Sequence, residues 1–445
     1  MVAQTKLPSD LLSFALHSPS TSETGPRCGT LSFPNRTPIA TPHYIALTSR
    51  GAVPHITQDT MRSSTSITGI YVALEDFTEK APDAIPPVYN FPASPNDSPL
   101  RRFIALQQDA LLVLGPRRIP PVMSPTSNTR TAISTCTSVG FRMLENEDYV
   151  AAVQKLRPDV ALALADVVYG AQPGAKRVEK MGDRTLAWLT ELIDSLHDET
   201  VETATTALFA PILPIEKELQ AYYLSHLQEE LNPHIQGLTL YSPTSLPASR
   251  RPSSLPRLLL HPPHPQPHPH RLGTNLHPPL PPATTPIAPA SPSRPLTPPH
   301  LPPLPLGIDM WHPHHSTSLA PLTPSCACYT CTHHHRAYVQ HLLAAKEMLG
   351  WVLLQIHNHS VVDAFFSGVR ASIAAGDFAV EEARFATTYE AHLPPMTGLG
   401  PRVRGYQFRS GGPAEAKKNP RAYRALDDVV GKVAGGASVL GGGWR

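Results

Sequence analysis

The sequence predicts an α/β fold built from repeated strand–helix units, and two kinds of segment carry this prediction. Short apolar runs bounded by turn residues are typical of strands buried on both faces. Five such runs occupy residues 43–49, 69–74, 110–115, 159–166 and 206–213. Amphipathic segments of helical periodicity lie between some of them. A strand followed by a helix, repeated, indicates parallel βα units, and the number of units favours a barrel over an open sheet.

Two segments in this region show the spacing of an amphipathic helix. The first covers 178–196 and the second 215–230. In each, the apolar residues recur at helical intervals and form one stripe. The stripes consist of Val178, Met181, Thr185, Trp188, Leu189, Leu192 and Leu196 in the first segment, and of Ile215, Leu219, Tyr223 and Leu227 in the second. We therefore assign 27–242 to the N-terminal part of an α/β barrel and 1–26 to a flexible N-terminus.

Composition excludes several classes of protein. The formal net charge of the 445 residues is +2, so the whole chain lacks the strong field of a nucleic-acid-coating or membrane-surface protein. Five cysteines are too few for a disulfide framework, and Cys28 and Cys136 stand alone. No apolar run is long enough to span a bilayer, and the N-terminus lacks the pattern of a secretory signal. These features predict a reducing, cytoplasmic location.

Residues 243–305 interrupt the α/β pattern with a Pro/His-rich, low-complexity segment. It lies within a stretch, Glu230 to Asp309, that has no acidic residue between its ends. Prolines exclude helix interiors and central strands, so we expect an irregular coil. Its histidines offer weak metal binding as an alternative role: His261, His264, His268, His270, His277 and His300. Two origins remain open, a sequence error that replaces barrel sequence and a genuine disordered insertion with Pro-rich ligand motifs.

Regular periodicity returns in 306–400, which we assign to a metal-binding subdomain with closing helices. One helix is predicted over 336–358, with an apolar stripe of Tyr338, Leu342, Ala345, Leu349, Val352 and Ile356. A second helix is predicted over 361–376, with Gly376 as its C-terminal stop. The last segment, 401–445, is a basic, Gly-rich tail. Its basic and aromatic residues fit either RNA contacts or a solvated tail: Arg402, Arg404, Arg409, Lys417, Lys418, Arg421 and Arg424, with Tyr406, Phe408 and Tyr423.

Three cysteines at the start of this subdomain have the spacing C-x-C-x2-C. They are Cys326, Cys328 and Cys331, and His357 follows at the end of the first predicted helix. Three thiolates and one imidazole form a closed tetrahedral zinc shell, which leaves no position for a reacting water. We therefore predict one structural Zn²⁺ per chain. The spacing leaves four rival ligands: His333, His334, His335 and His359.

These residues carry a family resemblance. The cysteines followed by 25 residues and a histidine resemble the zinc site of the tRNA-guanine transglycosylases. Further similarity lies in "CYTCTHHHRAYVQHLLAAKEMLGWVLLQIHN" from Cys328, in "GTLSFPNRTPIATPHYIALTSRGAVPHITQDTMR" from Gly29 and in "KRVEKMGDRTLAWL" from Lys176. The resemblance implies a (β/α)8 TIM-like barrel with a C-terminal zinc-binding subdomain. The Pro-rich segment would interrupt that barrel.

Compared with the family that it resembles, this sequence is expected to lack the catalytic groups. The family uses a carboxylate nucleophile and a second acid in an Asp-Ser-Gly-Gly-Phe-Gln motif. The corresponding stretch here, "DALLVLGPRRIPPVMSPTS", lacks the motif, and Asp109 precedes the strand instead of following it. Asp309 lies too close to Cys326 to be the nucleophile. Asp166 matches a base-contacting aspartate of the family in position, with a structural role at a strand end as the alternative. The base-recognition loop is reduced to "IQGLTLYS" around Gly237.

We therefore expect no catalytic residue and a role as a non-catalytic accessory subunit. The resemblance implies a heterodimer with a catalytic queuine tRNA-ribosyltransferase subunit, contact with tRNA through the complex, and a place in queuosine formation at the wobble position. It also implies a cytoplasmic location that extends to the mitochondrial outer membrane as a peripheral protein. Two other functions remain open, an active base-exchange enzyme that uses displaced acids and an unrelated zinc-stabilised interaction protein.

Overall fold

The structure is a computed structural model of the chain. It describes residues 11–17, 25–78, 85–94, 97–119, 121–122, 124–169, 173–196, 206–241, 257–259 and 303–390. The predicted basic tail, 401–445, lies outside these residues, as does most of the Pro/His-rich segment. The described strands are β1 (Ser13–Leu16), β2 (Gly29–Ser32), β3 (Ile39–Thr41), β4 (Ala46–Leu47), β5 (Gly69–Ala73), β6 (Leu111–Gly115), β7 (Ala132–Thr137), β8 (Gly140–Glu145), β9 (Val160–Leu162), β10 (Ala207–Ile212), β11 (Gly237–Leu240) and β12 (Arg257–Leu259).

Nine α-helices accompany these strands within the same described residues. They are α1 (Gln58–Ser64), α2 (Pro99–Phe103), α3 (Asn146–Leu156), α4 (Ala175–Leu196), α5 (Ala221–Glu229), α6 (Tyr329–His333), α7 (Arg336–Ala344), α8 (Met348–Ala375) and α9 (Phe378–Thr388). None of the helices in the described residues is long and apolar enough to cross a membrane.

A seven-stranded parallel sheet forms the body of the protein. Its strands stand in the order β4, β5, β6, β9, β10, β11, β12, and each pairs in parallel with the next. The spatial order follows the chain without a reversal, which is how barrels are wound and differs from doubly wound open sheets. The sheet curls as a half-barrel. The α/β fold is therefore confirmed, and β4 and β12 are the two edges of the sheet in the described residues.

Alternate residues of the sheet enter two apolar cores. Ile70, Leu112 and Leu208 point towards the surrounding helices, where α3, α4 and α5 cover them. Tyr71, Leu111, Val113, Val160 and Phe209 point to the inside of the curl. Strands with both faces buried need the continuous apolar runs from which they were predicted.

The inside of the curl is closed at one end by the first three strands, which form an antiparallel sheet in the order β1, β2, β3. Leu12 and Ile39 from this sheet pack into the inner core. Strand β1 lies inside 1–26, so the predicted flexible N-terminus needs a correction at 13–16. The backbone of β1 pairs with β2, which satisfies its hydrogen-bonding groups. The residue pattern of β1 by itself could not reveal this pairing.

Several sequence-based boundaries need correction as well. The predicted helix over 336–358 is two helices, because Lys346 adopts a left-handed conformation with φ of 60° between α7 and α8. The second of these continues to Ala375 and absorbs the helix predicted over 361–376, and Gly376 ends it as predicted. The break shifts the helical phase, so Tyr338 and Leu349 of the predicted stripe are exposed. Strand β12 lies within the Pro/His-rich segment, at an edge of the sheet where proline-rich sequence is tolerated.

Gly237 supplies a test of how tightly the inner face of the sheet is packed. It begins β11, and a Cβ there would lie 2.4 to 2.6 Å from the ring of Phe209. We predict that Gly237→Ala lowers the free energy of unfolding by about 1–3 kcal/mol, because the buried ring must move. Gly182→Ala on α4 is the control, since its Cβ meets only Tyr223 at 3.8 Å. That variant should be neutral or more stable. Urea denaturation of both variants checks the difference, and equal midpoints would contradict the packing.

Candidate metal centre

The three predicted cysteines and His357 meet in one cluster. Cys326 lies in the loop before α6, Cys328 is the residue that caps this helix, and Cys331 lies inside it. His357 is the tenth residue of α8. It therefore lies well inside the helix, whereas the sequence predicted it at the end of a helix. The ligand atoms of all four residues lie within 4.8 Å of one another. The cluster therefore joins a loop and a short helix to a long helix that follows them in the chain.

The distances in the cluster fit a tetrahedral metal site. His357 Nδ1 lies 3.6 Å from Cys326 Sγ, 3.3 Å from Cys328 Sγ and 3.3 Å from Cys331 Sγ. Metal–sulfur bonds of about 2.3 Å and a metal–nitrogen bond of about 2.0 Å at tetrahedral angles place S and N about 3.5 Å apart. The side chains therefore already stand where a divalent cation such as zinc would need them.

Hydrogen bonds around the cluster hold these side chains in position. Cys331 N donates to Cys328 Sγ at 3.4 Å, which closes the first turn of α6. The buried Thr330 hydroxyl donates to Leu353 O at 2.7 Å and ties α6 to α8. On the other side of the imidazole, Thr323 Oγ1 lies 3.4 Å from His357 Nε2. A partner on the second ring nitrogen fixes the imidazole so that Nδ1 faces the thiols. The sequence contains no signal that identifies Thr323 or Thr330.

The cluster also perturbs the protonation of its members. Hydrogen bonds with Cys328 and Cys331 lower the pKa of the Cys326 thiol, and hydrogen bonds with Cys326 and Cys331 raise the pKa of the Cys328 thiol. Burial works to lower the pKa of His357, but its hydrogen bonds with Cys326 and Cys331 outweigh burial and raise it. Neighbouring thiols oppose each other's ionisation, and a divalent cation would allow all three to lose their protons.

The four rival histidines lie elsewhere. His333 Nδ1 is 2.9 Å from Tyr329 O, and its ring stacks on Tyr329. His334 stacks on Tyr338, and His335 caps α7 by accepting from Tyr338 N. His359 Nδ1 lies 3.1 Å from the Tyr44 hydroxyl, and burial lowers its pKa to about 4. In the described residues these four side chains do not join the thiol cluster.

A small apolar core lies beneath the cluster. Met310, Leu322, Val339, Trp351 and Leu354 are its central members, drawn from the loop, α7 and α8. The helices cross closely because Gly350 presents no side chain to Leu342 and Leu343. This core is small, so a cross-link through a metal would add much of the stability of the subdomain.

Asp166 lies at the carboxyl end of β9, in an environment of charged and polar groups. Its side chain has no exposed surface. Both carboxylate oxygens accept from Arg177, and one of them also accepts from Arg184 Nη1 at 3.2 Å. Asn128 Nδ2 donates to it at 2.8 Å. These partners were not identified from the sequence, although Lys176 and Arg177 follow soon after the strand.

Two further acids at this end of the sheet, Glu75 and Asp76, are also paired. Glu75 follows β5, and its Oε1 accepts from Arg118 N at 2.9 Å and Arg118 Nε at 2.8 Å. Asp76 Oδ1 accepts from Arg118 Nη2 at 3.3 Å. Arg118 stands in the turn after β6, the stretch that lacks the family motif. Burial raises the pKa of Glu75 even though Arg118 opposes this.

The remaining predicted positions are accounted for. Asp109 lies in the turn at the amino end of β6, where its carbonyl accepts from Thr37 N at 2.8 Å. Asp309 Oδ1 accepts from Trp311 N at 3.1 Å within a turn. The stretch around Gly237, to which the recognition loop was predicted to be reduced, contains the buried strand β11. Its Leu and Thr residues satisfy the sheet and are not free to form a loop.

Comparison with known proteins identifies relatives of the whole described fold. The profile of the family described as queuine tRNA-ribosyltransferase matches residues 22–266 and 285–391. A fission yeast (Schizosaccharomyces pombe) protein named queuine tRNA-ribosyltransferase accessory subunit 2 is 32% identical over 405 residues, which cover 88% of this chain and 87% of the relative. The family match includes the parallel sheet and the thiol cluster.

Shorter matches extend to other organisms. A protein of the same name from Xenopus tropicalis is 51% identical over 57 residues, 13% of this chain and 14% of the relative. A queuine tRNA-ribosyltransferase from the bacterium Aromatoleum aromaticum is 46% identical over 71 residues, 16% of this chain and 19% of the relative. The stretch of 267–284 between the two parts of the family match lies inside the Pro/His-rich segment.

The metal centre gives a direct prediction. Cys328→Ser and His357→Ala should each remove the bound divalent metal and lower the free energy of unfolding by more than about 4 kcal/mol, because the ligands join three segments. His334→Ala is the control, since this half-buried residue lies outside the cluster. Metal content per chain by plasma mass spectrometry, with thermal unfolding, measures both effects. Loss of metal in the control, or retention of metal in the ligand variants, would contradict the assignment.

Proposed function

The chain belongs to the queuine tRNA-ribosyltransferase family, and we propose that it is a non-catalytic accessory subunit of this enzyme. It pairs with a catalytic subunit, and the complex exchanges guanine for queuine at the wobble position of tRNAs with GUN anticodons. The observation that carries the proposal is the state of the acids at the carboxyl ends of the strands. Glu75, Asp76 and Asp166 are each bonded to arginine.

Base exchange needs a carboxylate that is free to attack the ribose and another acid that moves a proton. An acid whose oxygens already accept from a buried arginine is a poor nucleophile, because attack would cost the ion pair. Arg118 occupies the turn after β6, and Arg177 fills the acceptors of Asp166. This arrangement supports a non-catalytic scaffold, because salt bridges occupy the acids at the carboxyl ends of the strands. Asp166 then serves structure, in place of contact with a base.

The same proposal includes one structural Zn²⁺ per chain and a (β/α)8 barrel. Three thiolates and one imidazole select a soft, tetrahedral cation and fill its coordination, so no water is activated there. Cys326, Cys328, Cys331 and His357 would hold it. Seven parallel strands wound in chain order support a barrel that an eighth strand closes. A cytoplasmic location, extending to the surface of mitochondria, follows from the same family relationship.

An exposed aromatic face on the metal-binding subdomain is where we place the catalytic subunit. Tyr329 stacks on His333 with ring centroids 4.5 Å apart, and His334 stacks on Tyr338 at 5.4 Å. Tyr329 and Tyr338 are 45% and 37% exposed. Met348 lies beyond them at the start of α8 and is also exposed. Stacked aromatic side chains that face solvent are typical of the centre of a protein–protein interface.

The main test is base exchange by the full chain with and without the catalytic subunit. We expect no incorporation of labelled guanine into tRNA by this chain alone and turnover only when both are present. Exchange by the purified chain alone would support an active enzyme with displaced acids. Absence of both exchange and co-purification with the catalytic subunit would favour an unrelated interaction protein. Either result overturns the proposal.

Introducing a negative charge into the exposed aromatic face tests the proposed interface. Tyr338→Glu should weaken association with the catalytic subunit by at least about 2 kcal/mol, roughly thirtyfold, because a charge replaces a central aromatic side chain. Tyr222→Glu is a matched control, since Tyr222 is an exposed helical tyrosine on α5, 64% accessible. Dissociation constants by biolayer interferometry separate the two. Equal loss in both variants, or none in Tyr338→Glu, would place the interface elsewhere.

A further inference from the structure

A polar cavity lies at the end of the sheet opposite the paired acids. It is formed where α8 passes the chain segments that lead into β4 and β5, and its volume is about 430 Å³. His43 comes from the first segment, Ser66 and Thr68 from the second, and Asp363 and Arg370 from α8. This volume is in the range of sites that bind small molecules. The cavity shares no lining residue with the thiol cluster or with the ion pairs of Asp166.

Unpartnered polar atoms concentrate in this cavity. Nδ1 of His43 and Oγ1 of Thr68 are buried without a hydrogen-bond partner in the described residues. The hydroxyls of Ser66 and Tyr44 approach the carboxylate of Asp363, but neither of its oxygens accepts a well-aligned hydrogen bond there. His43 Nε2 lies 4.0 Å from Asp363 Oδ1. Buried polar groups are almost always hydrogen-bonded, and a group of exceptions around one space calls for a ligand that satisfies them. A carboxylate with two open acceptors requires a donor, and an ammonium group supplies three.

The charges on α8 indicate a second group in that ligand. Asp363, Ser367 and Arg370 follow one another at i, i+4 and i+7, so they share one face of the helix. Arg370 Nη1 donates to Pro42 O at 2.8 Å and to Ala40 O at 3.5 Å, which holds the guanidinium at the rim. Within the described residues, Nε and Nη2 of this guanidinium make no hydrogen bond, so they are available to a ligand. A carboxylate near Arg370 and an ammonium near Asp363 would satisfy both ends.

We propose that this cavity binds a small zwitterion, with its ammonium group on Asp363 and its carboxylate on Arg370. The two protein charges cancel, so a ligand of zero net charge with separated charges fits better than a simple cation or anion. A metal ion fits less well, because Asp363 and His43 are the two side chains of ligand type that face one another there. The hydroxyls of Ser66, Thr68 and Ser367 line the space between the charged ends. This site is independent of the accessory role.

The test titrates the full-length chain with 6-aminohexanoate in a calorimeter, with hexylamine and hexanoate as its two singly charged halves. We expect saturable binding of one 6-aminohexanoate per chain and at least tenfold weaker binding of either half. Asp363→Asn should weaken binding at least tenfold, and Arg370→Gln should do the same by removing the carboxylate partner. Glu382→Gln on α9, an exposed acid outside the cavity, should bind as the unaltered chain does.

Folding is separated from binding by the choice of variant. Asp363→Asn removes a buried charge that accepts no well-aligned hydrogen bond, and the amide can still accept from the nearby Ser66 and Tyr44 hydroxyls, so its thermal midpoint should equal or exceed that of the unaltered chain. Binding of hexylamine as tight as that of 6-aminohexanoate would show that only a cation is recognised and would overturn the proposal. No binding of 6-aminohexanoate, or binding that survives Asp363→Asn, would overturn it as well.

Discussion

The convergence of three thiols and one imidazole is the constraint on which the C-terminal part of this protein depends. The four side chains come from a loop, a one-turn helix and a 28-residue helix, and the apolar core beneath them is small. Thiols packed this closely oppose each other's ionisation, as the divergent pKa values of Cys326 and Cys328 indicate. A single bound cation would relieve that opposition and cross-link all three segments.

Salt bridges define the other functional end of the molecule. In an enzyme of this family the carboxyl ends of the strands would present free acids, whereas Arg118 and Arg177 neutralise them here. Each arginine joins the segment after one strand to a neighbouring element, which makes this end of the sheet rigid. In the proposed accessory role, a scaffold of this kind would keep the shape that a partner subunit recognises without supplying the chemistry.

The parts of the fold with strong local signals were predictable. Buried parallel strands such as β5, β6 and β10 are continuous apolar runs, and α4 shows its buried stripe from Val178 to Leu192. The four residues of the thiol cluster were predictable as well, because the spacing of metal ligands along the chain reflects coordination geometry. These features depend on residues close in sequence or on a ligand set with few alternatives.

Features that depend on distant partners were not predictable. The break at Lys346 follows from the crossing of α7 and α8 at Gly350, and periodicity alone continues the helix through it. Strand β1 forms because β2 is available, and Gly237 enters a strand because Phe209 fills the space of its missing side chain. The ion pair of Asp166 with Arg177 likewise needs the turn between β9 and α4, whose path is a tertiary property.

X-ray absorption spectroscopy at the zinc edge of the purified, full-length chain tests the central claim most directly. The account predicts three sulfur ligands at about 2.3 Å and one nitrogen ligand at about 2.0 Å, with no oxygen in the shell. A shell containing an oxygen from water, a shell with two or more nitrogens, or protein that folds without bound metal would contradict it.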